Sequence, residues 1–287
     1  MTVAVKERQT LWAKARYRFM RDRLGVLGLT VVVIFAVLAL GVVFEWWATD
    51  WSDLRGGRYD PVSSDFWFGS NVNGQDIFAR TLYSTRTAFE VGLIVAVLST
   101  LIGAVMGALA GFYSGSWIDE IILWLKGVLD SIPFYLFVAA VAFAMQGNAY
   151  GMHVAMIATF WTTTGRLVRG EVIKLKELEF VEAARSIGVS ELRIIFRHII
   201  PNTYHVLLVQ ATIVFVSAIK AEVILSFLGL GIKDGVSWGS MLAESTLEVA
   251  AGQPNNFLFA SLFMFVLVMA FNLFSDALQD ALDPKAA

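Results

Sequence analysis

Lys126 and Asp130 stand four residues apart inside a largely apolar run, residues 118–145. An ionisable side chain at the centre of a bilayer costs roughly 2.5–3.5 kcal/mol, so such groups pair or face a polar cavity. The four-residue spacing lets these two pair with each other; a place on a solute pathway is the alternative. Both lie toward one end of the run, where snorkelling lowers the cost. Glu222 follows Lys220 at the far end of a second apolar run, 202–225. Lys126, Asp130 and Glu222 are therefore the candidate gate or pathway residues. The chain offers little else with which to make or break bonds. It has no cysteine, hence no disulfide framework, thiolate metal site or cysteine nucleophile. No Gly-Lys dipeptide occurs, which excludes a phosphate-binding loop of the Walker type. His153, His198 and His205 fall on different expected elements or lie seven residues apart across a proline, so no metal site is expected. Ser217 and Lys220 share a nucleophile-like spacing but lie inside a span without companion motifs.

These residues must be positioned by helices in a membrane. The 287 residues are 57% hydrophobic and 16% charged, with a mean hydropathy of +0.66. That is too apolar for an ordinary soluble domain and too charged for a chain without aqueous loops. Six runs are long enough to span about 30 Å of hydrocarbon: 24–44, 88–112, 118–145, 150–169, 202–225 and 257–279. Lys6, Arg8, Lys14, Arg16, Arg18, Arg21 and Arg23 precede the first. Arg166, Arg169, Lys174, Lys176, Arg185, Arg193 and Arg197 flank or follow the fourth, whereas only Lys233 separates the fifth from the sixth. The positive-inside rule then puts the N-terminus, the loop after the fourth span and the C-terminus in the cytoplasm. The first run is longer than a signal-peptide core and lacks a clean Ala-x-Ala site, so cleavage is not expected. The basic residues flank membrane runs, and nothing suggests nucleic-acid binding.

The most distinctive segment is EAARSIGVSELRIIFRHIIPN, residues 182–202. Phe180, Ala183, Ala184 and Ile187 fall at helical spacing, as do Leu192, Ile195, Phe196 and Ile199, which predicts two amphipathic helices. Gly188 stands between them at a turn, Ser190 is a candidate N-cap, and Pro201 fits the first turn of the next helix. Gly103, Gly107, Gly111 and Gly115 form a four-residue ladder that lets another helix approach closely, in this chain or in a second one. Pro133 predicts a kink in the third span. Residues 1–23 read as a basic helix on the membrane surface or as an orientation signal alone. Trp46, Trp47, Trp51 and Trp67 read as an interface belt or as stacking surfaces for a solute.

The 182–202 segment resembles the Glu-Ala-Ala loop of bacterial ABC-importer permeases, with Glu182, Ala183, Ala184, Gly188 and Pro201 matching in identity and spacing. His198 and Ile200 stand where the general pattern has Ile and Leu, and the His is similar to the oligopeptide/dipeptide/nickel branch. Residues 68–92 resemble that branch's segment before the second span: Gly69, Gly74, Asp76, Arg80, Tyr83 and Arg86 match. Ser70, Asn71 and Gln75 replace Thr, Asp and Arg, so a local charge pair is expected to be missing. Residues 226–231 and 237–242 resemble the branch's SFLGLG and SWGxxL stretches, without the intervening prolines. The resemblance implies an outer-gate loop there; a glycine-rich turn shaped by packing is the alternative. The ending 271–284 also resembles the branch, with Asp276, Asp280 and Asp283 at a solvated end.

The resemblance implies an all-α, six-helix type I importer permease of the C-type, in the bacterial inner membrane. Residues 1–86 would be the arm, first helix and external loop, 87–280 the permease domain, and 281–287 a cytoplasmic tail. It implies no cofactor in this chain, with ATP and Mg on two partner ATPase subunits, which would grip Glu182, Ala183, Ala184, Gly188 and Pro201. The other implied partners are a second, homologous permease subunit, an external substrate-binding protein and membrane lipid. Peptides are the leading solute, nickel chelates or other small solutes the alternative. An ion-coupled secondary transporter would need ionisable groups at mid-bilayer and broken helices in two repeats, and no repeat is found; a non-transporting scaffold is the remaining rival.

Overall fold

A computed structural model describes residues 11–145, 148, 150–232 and 235–282. Among them there is no strand, only an isolated bridge between Ser70 and Asp76. Eleven α-helices follow one another among the described residues: α1 (Leu11–Arg21), α2 (Arg23–Val43), α3 (Ile77–Phe112), α4 (Trp117–Ser131), α5 (Phe134–Ala144), α6 (Gly151–Leu175), α7 (Glu179–Ser186), α8 (Glu191–Ile194), α9 (Tyr204–Phe227), α10 (Trp238–Ala250) and α11 (Asn255–Leu282).

Among the described residues, four continuous helical segments are long and apolar enough to cross a membrane: 23–43, 77–112, 191–227 and 255–282. A fifth arises if α4 and α5 count as one span bent by 92°. The expected single kinked helix over 118–145 is thus two helices. Ile132 is extended, as the residue before a proline tends to be, and the chain restarts at Pro133. The sixth expected span, α6, has 25 residues but too many polar ones to pass the same test.

The parallel pair α3 and α6 is the centre of the molecule, and the glycine ladder is why the two helices approach closely. A Cβ built on Gly103 would lie 2.5 Å from Thr164, on Gly107 2.5 Å from Gly165 O, and on Gly111 2.8 Å from Arg169 O. The expected fourth rung fails: Gly115 has nothing within 4 Å and instead supplies a left-handed turn at φ +82° before α4. Around this pair α2, α9 and α11 bury Phe35, Val91, Val95, Met156, Phe215, Ile219 and Phe271.

Two departures from expectation have one cause, the burial of polar residues by tertiary contacts. Helix α3 starts eleven residues before 88, capped by Asp76, whose carboxylate accepts from Phe78 N. Its polar first turns (Arg80, Thr81, Ser84, Thr85, Thr87) are buried. They pack against α10, a helix that hydropathy did not announce. Ser237 starts α10 with a capping box, Trp238 Nε1 donates to Thr81 O at 3.1 Å, and Thr87 Oγ1 donates to Val236 O at 2.8 Å.

Candidate functional site

The segment after α6 forms a shelf on one end of the bundle. Val181 and Ala184 of α7, with Ile194, Ile195 and Ile199, are buried among Ala108, Phe112, Val168 and Val172 of the α3–α6 pair. The side chains turned away from that cluster are also apolar: Ile187 is 81% exposed and Leu192 57%, with Phe180 and Phe196 exposed beside them. The two apolar stripes expected from helical spacing are therefore each split between the bundle and the open side. Of Phe180, Ala183, Ala184 and Ile187, only Ala184 is buried; of Leu192, Ile195, Phe196 and Ile199, only the two isoleucines are. The segment is apolar on two sides, so periodicity alone could not choose which side meets the bundle.

Gly188 adopts φ +80°. Its N–H donates to Arg185 O at 2.9 Å and Val189 N–H donates to Ala184 O at 3.1 Å, the paired bonds of a Schellman ending. Glu182 and Ala183 are exposed on α7. The expected second, separate helix is not observed. From Glu191 the chain runs through α8, a π-helical turn over Ile195–Ile199 and a 3-10 turn over Ile200–Thr203 straight into α9. Pro201, at the start of that 3-10 turn, forfeits only its own N–H there. Ser190 occupies the N-cap position but its side chain makes no cap bond. No loop separates this shelf from α9.

Other contacts fasten the shelf to the bundle. Arg185 lies over the Phe112 ring at 5.2 Å. Burial pushes the Tyr113 hydroxyl above the usual tyrosine range, and the Glu191 carboxylate beside it adds to the effect. At the same end Arg169 of α6 donates twice to Asp119 of α4, at 2.8 and 2.7 Å, and Gly115 N–H donates to the same carboxylate at 3.0 Å. Asp119 is buried. Sequence reasoning did not single out this pair because its members lie fifty residues apart.

The three candidate gate residues are not brought together. Lys126 and Asp130 pair with each other on the exposed side of α4. Glu222, expected near an exposed end, is 2% exposed, and Ser226 Oγ donates to it. The loop and α10 stacked beyond it remove it from solvent. Among the described residues no group of three or more His, Asp or Glu could hold a metal ion.

The opposite end holds residues 45–76 against α10. The replaced charge pair is an amide pair: Asn71 Nδ2 donates to Gln75 Oε1 at 2.9 Å. Asn71 Oδ1 also accepts from Asn73 N and Gln75 N, closing the turn. A charge pair does form nearby, Arg80 to Glu244 at 2.8 and 2.7 Å, and Glu248 Oε1 accepts from Val72 N at 2.9 Å. Burial raises the Asp76 carboxyl above the ordinary range, against the opposing bonds from Phe78 and Ala79 and the Arg55 charge. Of the four tryptophans, Trp46 and Trp67 are exposed, Trp47 donates back to Leu38 O, and Trp51 packs on Tyr83 at 4.5 Å. Asp276 and Asp280 are exposed at the end of α11; Asp283 and Lys233 lie outside the described residues.

Residues 74–287 match the family described as binding-protein-dependent transport system inner membrane component. The chain is 34% identical over 282 residues to an oligopeptide transport system permease protein of Bacillus subtilis, covering 98% of this chain and 92% of that protein. It is 36% identical over 273 residues to a dipeptide transport system permease protein of the same organism, covering 93% and 84%. A glutathione transport system permease protein of Pectobacterium atrosepticum is 36% identical over 289 residues, covering 98% and 93%.

Proposed function

This chain belongs to the family of binding-protein-dependent transport system inner membrane components, and we propose that it is one permease subunit of an ATP-driven importer whose solute is a peptide. The three relatives are permease proteins of oligopeptide, dipeptide and glutathione systems, which supports a peptide solute. We read α2, α3, the bent pair α4–α5, α6, α9 and α11 as six crossings, with both termini and the shelf in the cytoplasm. The basic residues at the start of the chain and around the shelf favour that orientation. Residues 87–280 form the permease domain, flanked by the arm, first helix and external loop (1–86) and a short tail (281–287).

The observation that carries the reading is the shelf. Its inner side is locked into the α3–α6 pair while Phe180, Ile187, Leu192 and Phe196 stay uncovered. An apolar strip held on a rigid mount in water is a docking surface. Its partner is a cytoplasmic ATPase subunit, two of which bind the assembled pore and carry ATP and Mg. Ala183 leaves the strip low enough for close approach, Glu182 offers a carboxylate at its edge, and Gly188 and Pro201 set how it leaves and rejoins the bundle. A second, homologous permease completes the pore, and an external binding protein delivers the solute to the opposite end. Closure of the ATPases moves the shelf, and the continuous run into α9 turns that movement into alternation between inward- and outward-open states.

The test is a mild-detergent pull-down of the tagged chain with mass spectrometry. Co-purification of a second permease and ATPases carrying a phosphate-binding loop is the expected result. A chain that purifies alone, with Glu182–Pro201 open to protease, overturns it.

A further inference from the structure

A cavity of about 260 Å³ lies at the end of the bundle opposite the shelf, between residues 59–70, the end of α10 and the start of α11. Asp60, Glu248, Gln253, Asn255 and Asn256 line it, and among the described residues no lysine or arginine does. Of the nearby arginines, Arg55 pairs with Asp50 and Arg80 with Glu244, while Arg58 lies at 5.0 Å over the ring of Tyr59, itself a lining residue. Asn256 is 1% exposed, and neither its Oδ1 nor its Nδ2 has a hydrogen-bond partner. Buried amides are almost always bonded, and an exception asks for an explanation. Glu248 is 2% exposed and is fixed through Oε1 by Val72 N–H. Asp60 is fixed through Oδ2 by Gly57 N–H at 2.6 Å. Both carboxylates are thus oriented in advance.

This chemistry selects a cation. The amino end of α11 adds about half a positive charge, against two carboxylates. The volume decides which kind of cation. A water takes about 30 Å³ in the liquid, so the cavity is too roomy for a bare metal ion. It suits a flat group with several donors. A guanidinium has five N–H donors and no acceptor, is weakly hydrated, and is well suited to interface ion pairs. We infer that this cavity is a socket for an arginine side chain presented by a protein partner at this face. The inference rests on the outward orientation proposed above and deepens it by naming the contact.

The purified chain in lipid nanodiscs is titrated with L-argininamide, with L-citrullinamide as the neutral isostere and calcium as the bare cation. Saturable binding of argininamide alone is expected. Glu248→Gln keeps an oxygen for Val72 N–H and Asp60→Asn keeps one for Gly57 N–H, so the loop stays placed while charge is lost. Each is expected to weaken argininamide binding about tenfold or more, as loss of a charge-assisted bond does. In the assembled importer the same variants weaken capture of the binding protein, and argininamide competes with it. Equal binding of citrullinamide, calcium binding alone, no binding, or capture unmoved by both variants overturns the socket. Orientation is read separately. The chain has no cysteine, so Leu54→Cys, at an exposed position, reports through an impermeant maleimide on whole cells. Failure to label overturns the outward placement.

Discussion

Replacing Gly188 tests whether the angle of the shelf matters separately from the stability of the chain. The residue sits at φ +80°, and a Cβ built there meets nothing within 4 Å. A side chain is therefore opposed by backbone conformation alone. For an L-residue in the left-handed region that is about 1–2 kcal/mol. Alanine takes this full cost, asparagine less because its side chain bonds locally, and valine more because it is β-branched. Aspartate resembles asparagine but puts a negative charge at the carboxyl end of α7, adding about 0.3–1 kcal/mol. With 1.4 kcal/mol equal to a factor of ten, the native turn of the alanine variant loses roughly five- to thirtyfold in its bias over other turns. The bundle itself is not touched, since Val181, Ala184, Ile194 and Ile195 keep their burial. The assay is the reconstituted importer in proteoliposomes, reading solute taken up per ATP hydrolysed, beside thermal unfolding of the isolated chain. Insertion and unfolding should change little. Coupling should fall in the order Gly, Asn, Asp, Ala, Val. A valine variant that couples like the parent refutes the argument. So does an Asp variant with normal uptake, or a loss of coupling that tracks unfolding in all four.

Asp119→Asn removes the charge that receives two bonds from Arg169. About 3 kcal/mol of stability should be lost, the low end for breaking a buried pair because Arg169 keeps 27% of its side-chain surface in solvent; denaturant unfolding in micelles measures it. Gly107→Ala places a methyl 2.5 Å from Gly165 O and should cost about 1–3 kcal/mol by overpacking, while Gly127→Ala, with open space at its Cβ, should be neutral or mildly stabilising in the same assay. Asp76 has its pKa raised by burial. Its carboxyl therefore favours folding below the ordinary aspartate pKa, 3.8, and that contribution is lost as pH rises through the folded value. Asp76→Asn keeps an acceptor for Phe78 N–H and should flatten the pH dependence of thermal unfolding above the ordinary aspartate pKa; an unchanged slope counts against the burial argument.

Hydropathy, charge placement and short motifs were enough to read from the sequence a helical membrane chain, most of its long helices, the shelf segment and the turn at Gly188. Each of these depends on residues near one another along the chain. The absence of a phosphate-binding loop was legible in the same way, because that motif is local. The faces were not legible. Whether Ala184 or Ile187 meets the bundle depends on where α3 and α6 lie, and both sides of the shelf are apolar enough to be buried. Helix α10 and the polar start of α3 stayed hidden from hydropathy because tertiary contacts bury them: α10 lies mainly against α9 and α11, and the start of α3 bonds to it through Thr81 and Arg80. The contacts that fix the two ends, Asp119 with Arg169, Arg80 with Glu244 and Val72 with Glu248, join residues from 50 to 176 positions apart. A charge costs little in a loop and much in a closed bundle. Which carboxylate finds its donor was therefore decided only when the helices packed.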